Sequence, residues 1–308
     1  MTGTAEDDDA LIDGYLSRYR TWGRWGTDDQ AGTLNHLGPQ SVRQAQALID
    51  DGGILGLGRP IAPRSAQRYG PPTVHLMTEL PSDSITPRGT SSDWYGLACH
   101  GFDITHLDGL CHMSWRGYLY NGFRADEVTA RGAAPSLTVE TLSNGVFAPA
   151  VVVDVPRLRG VPWLEPGDGI DADDLARVVQ NCPWSEGTVL IVSTGRDARE
   201  HAGSGHDPVA EGNPGLLPSV VPWLHEHQPS LLVTDVACDR MRPEGAPHSM
   251  PVHVLALVGL GIHLIDNASL AELTKLCADR ERSRVAFSLS VPRFVRGTGA
   301  PVNPLVIY

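Results

Sequence analysis

Four short apolar runs rich in β-branched residues recur in the second half of the chain: GVFAPAVVVDV (145–155), GTVLIVSTG (187–195), PSLLVTDVA (229–237) and LGIHLID (260–266). Each lies between turn residues and lacks polar alternation, the pattern of strands buried on both faces of a sheet. Between and after them the apolar spacing becomes helical, in DADDLARVVQN (171–181), SVVPWLHEH (219–227), MPVHVLALVGL (250–260) and ASLAELTKLCA (268–278). Strands alternating with helices predict a single α/β domain. Upstream, PQSVRQAQALIDDG (39–52) has helical spacing and stops at Gly52 and Gly53. Residues 1–20 read as a polar lead-in with a short helix at 10–19, and residues 21–308 as the domain proper. The Pro-rich stretch from Leu57 to Trp94 reads as an irregular loop system, placed to cover a site or a neighbouring subunit. The last residues, 284–308, read as a strand and an extended tail.

Composition narrows the partners. Asp plus Glu number 36 against 24 for Lys plus Arg, a net charge of −12 over 308 residues, so the basic footprint of a nucleic-acid or anionic-membrane binder is missing. The N-terminus is acidic without a signal-peptide pattern, and no run approaches the ~18 apolar residues of a membrane span, which predicts a cytoplasmic protein. Five scattered cysteines without a CxxC pair predict reduced thiols rather than a disulfide framework or a thiolate zinc site.

The densest chemistry lies in CHGFDITHLDGLCHMSW, residues 99–115, which hold three of the chain's 12 histidines. In a strand, residues two apart share a face, so His106 and Asp108 present an imidazole and a carboxylate together, a pair suited to a divalent metal. His112 joins them if the chain turns through Gly109. The alternative is a set of core histidines satisfied by backbone carbonyls, and chance alone produces this spacing in about 0.04 of such chains.

THLDGLCH, followed by GYLYNG, resembles the signature of the cyclase family of metal-dependent hydrolases, which includes kynurenine formamidases and isatin hydrolases. WGTDDQAGTLNHLGP, TVLIVSTGR, LVTDVACD, PVHVLALVGLGIHLIDNASL and GTGAPVNP extend the resemblance over most of residues 20–308. The resemblance implies an α/β fold with a mixed, barrel-like sheet flanked by helices, and a homodimer or homotetramer. It implies His106 and Asp108 as metal ligands, His112 as general acid/base, and His253 and Asp266 as further ligands. Ile104 stands where the family has Gly, and two further departures matter more: Phe102 occupies the place four residues before His106 where the family carries another His, and Asp266 stands for a Glu. A phenyl ring cannot ligate, so these departures favour one metal per protomer, Zn²⁺ or Mn²⁺, over two. His100 is a possible substitute, but in a straight strand it lies roughly 20 Å from His106, and it reaches the site only through a sharp turn at Gly101.

His253 and Asp266 also have bland readings, a histidine at a helix start on a loop carbonyl and a turn acid before a helix. Asp235 and Asp239, closing LLVTDVACD, are turn formers or site residues. Trp25, Phe102, Trp115 and Tyr120 could line an aromatic substrate pocket or belong to the core. No Gly-x-Ser-x-Gly elbow or phosphate loop is present. The expectation is a metal-dependent hydrolase of a small-molecule amide, lactam, lactone or ester. A metal-assisted cyclase, dehydratase or lyase and a metal-free ligand-binding protein are the alternatives.

Overall fold

The computed structural model describes residues 5–62, 71–83, 88–131, 133–205, 207–243 and 250–308. The strands are β1 (Ile54–Gly56), β2 (Val74–Glu79), β3 (Ser92–Gly96), β4 (His106–Asp108), β5 (Val146–Asp154), β6 (Gly169–Ile170), β7 (Val189–Ser193), β8 (Gly215–Leu216), β9 (Leu231–Thr234), β10 (His263–Asp266), β11 (Arg284–Leu289), β12 (Gly299–Pro301) and β13 (Leu305–Ile307). Nine of them form one sheet in the order β1-β13-β11-β5-β7-β9-β10-β4-β12, curled into a half-barrel. The four apolar runs are its centre: β5, β7, β9 and β10 are mutually parallel. Antiparallel strands close both flanks, β11, β13 and β1 on one side and β4 and β12 on the other.

The two faces of this sheet belong to two cores, as period-two alternation requires. Val151, Val153, Leu190, Val192, Leu232 and Leu264 enter one, while Val152, Ile191, Val233, Ile265 and Leu107 enter the other. Helices α1 (Ala5–Tyr19), α2 (Pro39–Gln46), α3 (Val155–Arg159), α4 (Ala172–Val179), α5 (Arg196–His201), α6 (Val221–His227), α7 (Pro251–His253) and α8 (Ala271–Asp279) pack around it. None of the described helices is long and apolar enough to cross a membrane.

Two stretches differ from the sequence reading. The polar lead-in is a 15-residue helix, because Asp7, Asp8 and Asp9 fall in its first turns, where carboxylates favour the helix dipole. Its Ile12 is fully buried in the core. Within the Pro-rich excursion, β2 pairs with β3, which runs just past its end, as a two-stranded sheet, so the stretch is not structureless. Its residues 63–70 and 84–87 lie outside the described residues.

The helix that begins at Pro251 continues as a wider π-helix, Val254–Leu260, entirely buried and ended by Gly261. The last carbonyls of a helix have no partner within it. Here the N-terminal segment supplies donors: Trp22 Nε1 to the Val258 carbonyl (2.6 Å), the Thr21 amide to Gly259 (3.0 Å), the Thr21 hydroxyl to Leu260 (3.0 Å) and the Thr33 amide to Gly261 (2.9 Å). The Trp-rich segment thus anchors one end of the element whose other end carries His253.

Candidate metal centre

Strands β4 and β10 pair so that His106 lies opposite Asp266 and Asp108 opposite Leu264, which puts His106, Asp108 and Asp266 on one face. All three are buried. Beyond Asp108 the chain turns back, with the His112 amide on the Gly109 carbonyl at 2.9 Å, and His112 Nε2 comes to 3.9 Å from Asp108 Oδ1. His253, in the first turn of the helix opened by Pro251, directs Nε2 to Asp266 Oδ2 (3.1 Å) and Asp108 Oδ2 (3.8 Å). The five residues His106, Asp108, His112, His253 and Asp266, more than 150 positions apart in the chain, therefore meet.

His100 joins them, which corrects the straight-strand geometry assumed for it. Only His106–Asp108 is extended; residues 99–105 bend, and Gly101 adopts φ 138°, a conformation that L side chains rarely reach. His100 Nδ1 sits 2.9 Å from Asp108 Oδ1, and its ring stacks on His112 with centroids 3.9 Å apart at 3°. Space for the ring comes from Gly299 on β12, where a Cβ would lie 2.4 Å from His100 Cε1. Phe102 is half-buried within the bend.

The ring nitrogens of His106 and His253 that do not face the cluster are occupied elsewhere. His106 Nδ1 donates to the Ile104 carbonyl (2.8 Å), and His253 Nδ1 lies 2.5 Å from Asp239 Oδ2. Asp239 also accepts the amides of Val252 (2.6 Å) and His253 (3.0 Å), capping the helix start while fixing the imidazole. Such outer partners are what orient a histidine toward a metal. Cys238, fully buried, contacts the Nδ1 edge of His253 at 3.3 Å, and burial raises its thiol well above the ordinary range. Sequence reasoning missed Cys238 as a site neighbour and left Asp239 open as a turn former; no local signal separates the latter reading from a histidine partner.

The electrostatics follow from crowding buried carboxylates and imidazoles together. Burial would raise the Asp108 carboxyl, but the imidazoles of His112, His106 and His100 outweigh it and hold the group below the usual carboxylate range. Burial pulls His100 down, yet its bond to Asp108, with Cys99 adding to it, lifts it to about 10. His112 is pushed down to about 4, chiefly by burial, with Asp108 opposing. His253 is likewise penalised by burial, but Cys238, Asp266 and Asp239 hold it well above its ordinary value.

The residues present suit a divalent cation. Among the described residues Asp108 Oδ2 is buried without a hydrogen-bond partner, a costly state for a carboxylate oxygen that a cation would relieve. Imidazole and carboxylate atoms within 4.8 Å of one another occur as His100, Asp108 and His112, as His106, Asp108 and Asp266, and as Cys238, His253 and Asp266. The overlap through Asp108 and Asp266 describes one compact centre.

The aromatic candidates have other contacts. Trp115 Nε1 donates to Asp13 (2.7 Å), Tyr120 has no exposed surface and its hydroxyl donates to Asp29 (3.1 Å), and Trp25 stands edge-on to His36 with centroids 5.2 Å apart. Together they fasten the N-terminal segment to the core.

A family profile described as "Putative cyclase" matches residues 71–239. A crystal structure of a novel cyclase aligns with TM-score 0.83 at 26% identity, covering 95% of this chain and 99% of that one. An isatin hydrolase bound to the product analogue thioisatinate aligns with TM-score 0.59 at 16% identity (88% and 99% covered), and isatin hydrolase A from Ralstonia solanacearum with 0.59 at 18% (85% and 93%). These two share the fold. No curated protein matches the chain.

Proposed function

Because the chain belongs to the cyclase family, we propose that it is a metal-dependent hydrolase cleaving an amide, lactam, lactone or ester bond of a small cyclic or aromatic molecule, with one Zn²⁺ or Mn²⁺ per protomer. The observation that carries this reading is the buried Asp108 Oδ2, without a hydrogen-bond partner among the described residues, beside His106 and His253, whose far nitrogens are already engaged. His100, His106, Asp108, His253 and Asp266 are the holding residues. A divalent ion bound there supplies Lewis acidity toward a carbonyl oxygen and makes water more acidic.

The chain's own residues do the rest. His112, a quarter exposed and neutral at physiological pH because burial holds it down to about 4, takes a proton at Nε2 from the attacking water and returns it to the leaving nitrogen or oxygen. Its parallel stack on His100 and the nearby Asp108 keep the ring edge toward the cluster. Asp239 and the Ile104 carbonyl hold His253 and His106 in single tautomers throughout. Assembly as a homodimer or homotetramer belongs to the same proposal; the exposed Leu76, Met77, Trp94 and Tyr95 of β2 and β3 support it.

The test is metal analysis of tag-free protein purified without chelator, followed by turnover of isatin, N-formylkynurenine and simple lactones in ¹⁸O-labelled water. Near one equivalent of metal and label in the product are expected. Turnover without label would replace hydrolysis by an internal cyclase or lyase reaction, and no metal after soaking in Zn²⁺ and Mn²⁺ would sink the reading.

A further inference from the structure

We propose that Asn267, held by Arg196, is the positioning residue that clamps the 101–104 bend and thereby sets the rings of His100 and His106. This inference rests on the metal-centre reading above and concerns a residue that touches none of the cluster's side chains directly. Asn267 follows Asp266 at the end of β10, is fully buried, and adopts φ 58°. Asparagine is among the few side chains tolerated in that left-handed conformation. Its amide nitrogen donates to the carbonyls of Gly101 (2.7 Å) and Ile104 (3.2 Å), the two ends of the bend. Its amide oxygen accepts from Arg196 Nη1 at 2.9 Å, and its main-chain carbonyl accepts the Thr105 hydroxyl at 2.7 Å.

Each contact bears on a ring in the site. The Gly101 carbonyl immediately follows His100, so pinning it fixes where the His100 Cα leaves the bend. The Ile104 carbonyl is the group that receives His106 Nδ1. One amide therefore bridges the supports of two imidazoles that the bend separates by six positions. Arg196 is itself buried and braced by Glu200 (2.8 Å), and it contacts the Asp235 carbonyl at 3.4 Å, so the clamp has a rigid base on α5. A merely structural Asn267 would require only its backbone conformation, which glycine also supplies.

Asn267→Gly separates these roles. Apo protein is titrated with Mn²⁺ or Zn²⁺ against a chromophoric chelator for wild type, Asn267→Gly, His100→Ala and the double variant, with melting temperatures recorded in parallel. The expected result is a metal Kd weakened about 10–100-fold by Asn267→Gly, the range for loss of an outer-shell partner, and a clearly smaller effect of the same change in the His100→Ala background. An unchanged Kd, or an equal loss with and without His100, overturns the proposal. Should Asn267→Gly fail to fold, Arg196→Met carries the same comparison with the amide left in place. A wild-type protein that binds no metal defeats the preceding reading instead; the clamp is then read in metal-free NMR spectra, where Asn267→Gly should move the ring signals of His100 and His106 and leave those of His225 and His227 unmoved. Unmoved signals from all four overturn it.

Discussion

Strand β10 has a buried histidine against each face, and the two have opposite protonation behaviour. His263, on the face shared with Leu107 and Ile265, has among the described residues no hydrogen-bond partner at Nδ1, and Thr141 at 3.5 Å from Nε2; burial drives it down to about 3. His253, packed over the other face against Asp266, is just as buried yet is held well above its ordinary value. Burial pushes both the same way, so the groups beside His253, namely Cys238, Asp266 and Asp239, decide the difference. One side of the strand excludes positive charge and the other side demands it. A divalent cation suits the second side for the same reason that a proton does.

The largest expected effect removes the carboxylate common to both ends of the cluster. Asp108→Ala should lose the bound metal and all measurable turnover, by metal analysis and the lactone assay; full retention of both would break the comparison outright. His112→Ala should keep the metal and lower kcat by roughly 10²–10⁴-fold, the usual contribution of general acid/base transfer. Gly299→Ala sharpens the picture from outside the cluster. The added Cβ meets His100 and also the Leu107 carbonyl at 2.8 Å. Metal affinity should fall about tenfold, measured by chelator competition, and the melting temperature should fall with it, because the Leu107 carbonyl is main chain and cannot swing aside as the ring can.

A separate effect, on stability and not on the metal, concerns the other face. His263 has a folded-state value of about 3 against 6.5 when free, so between these the unfolded chain binds the extra proton. Stability present above pH 6.5 is then lost as pH falls toward 3, by about 1.4 kcal/mol per pH unit from this group. Urea titrations of wild type and His263→Gln over that range check the sign: their stability difference should shrink as the pH is lowered. A difference that grows would mean that His263 is charged in the folded protein and that the two faces are alike.

Much of the fold was legible because it rests on local patterns. The apolar runs became the parallel centre of the sheet, and Pro251 and Gly261 bounded the helix of His253 as their stereochemistry requires. The spacing of His106 and Asp108 fixed a shared face. His100 was readable as a residue but not as a neighbour, since a one-residue turn at Gly101 changes its distance from a strand's length to ring contact. Phe102, read as a missing ligand, sits in the bend that this turn creates.

What the chain determined alone is therefore residue chemistry and short-range geometry: an α/β alternation, a net charge of −12, and a histidine-rich segment with a metal-like spacing. Tertiary structure decided which distant groups share a volume. Asp239 reaches His253, Asn267 reaches Gly101 and Ile104, and the Trp22 segment reaches the π-helix, across sequence separations of 14, 166, 163 and 236 positions. No local propensity encodes such meetings, because they arise from the register of a parallel sheet and the burial of polar groups that must find partners wherever the fold supplies them.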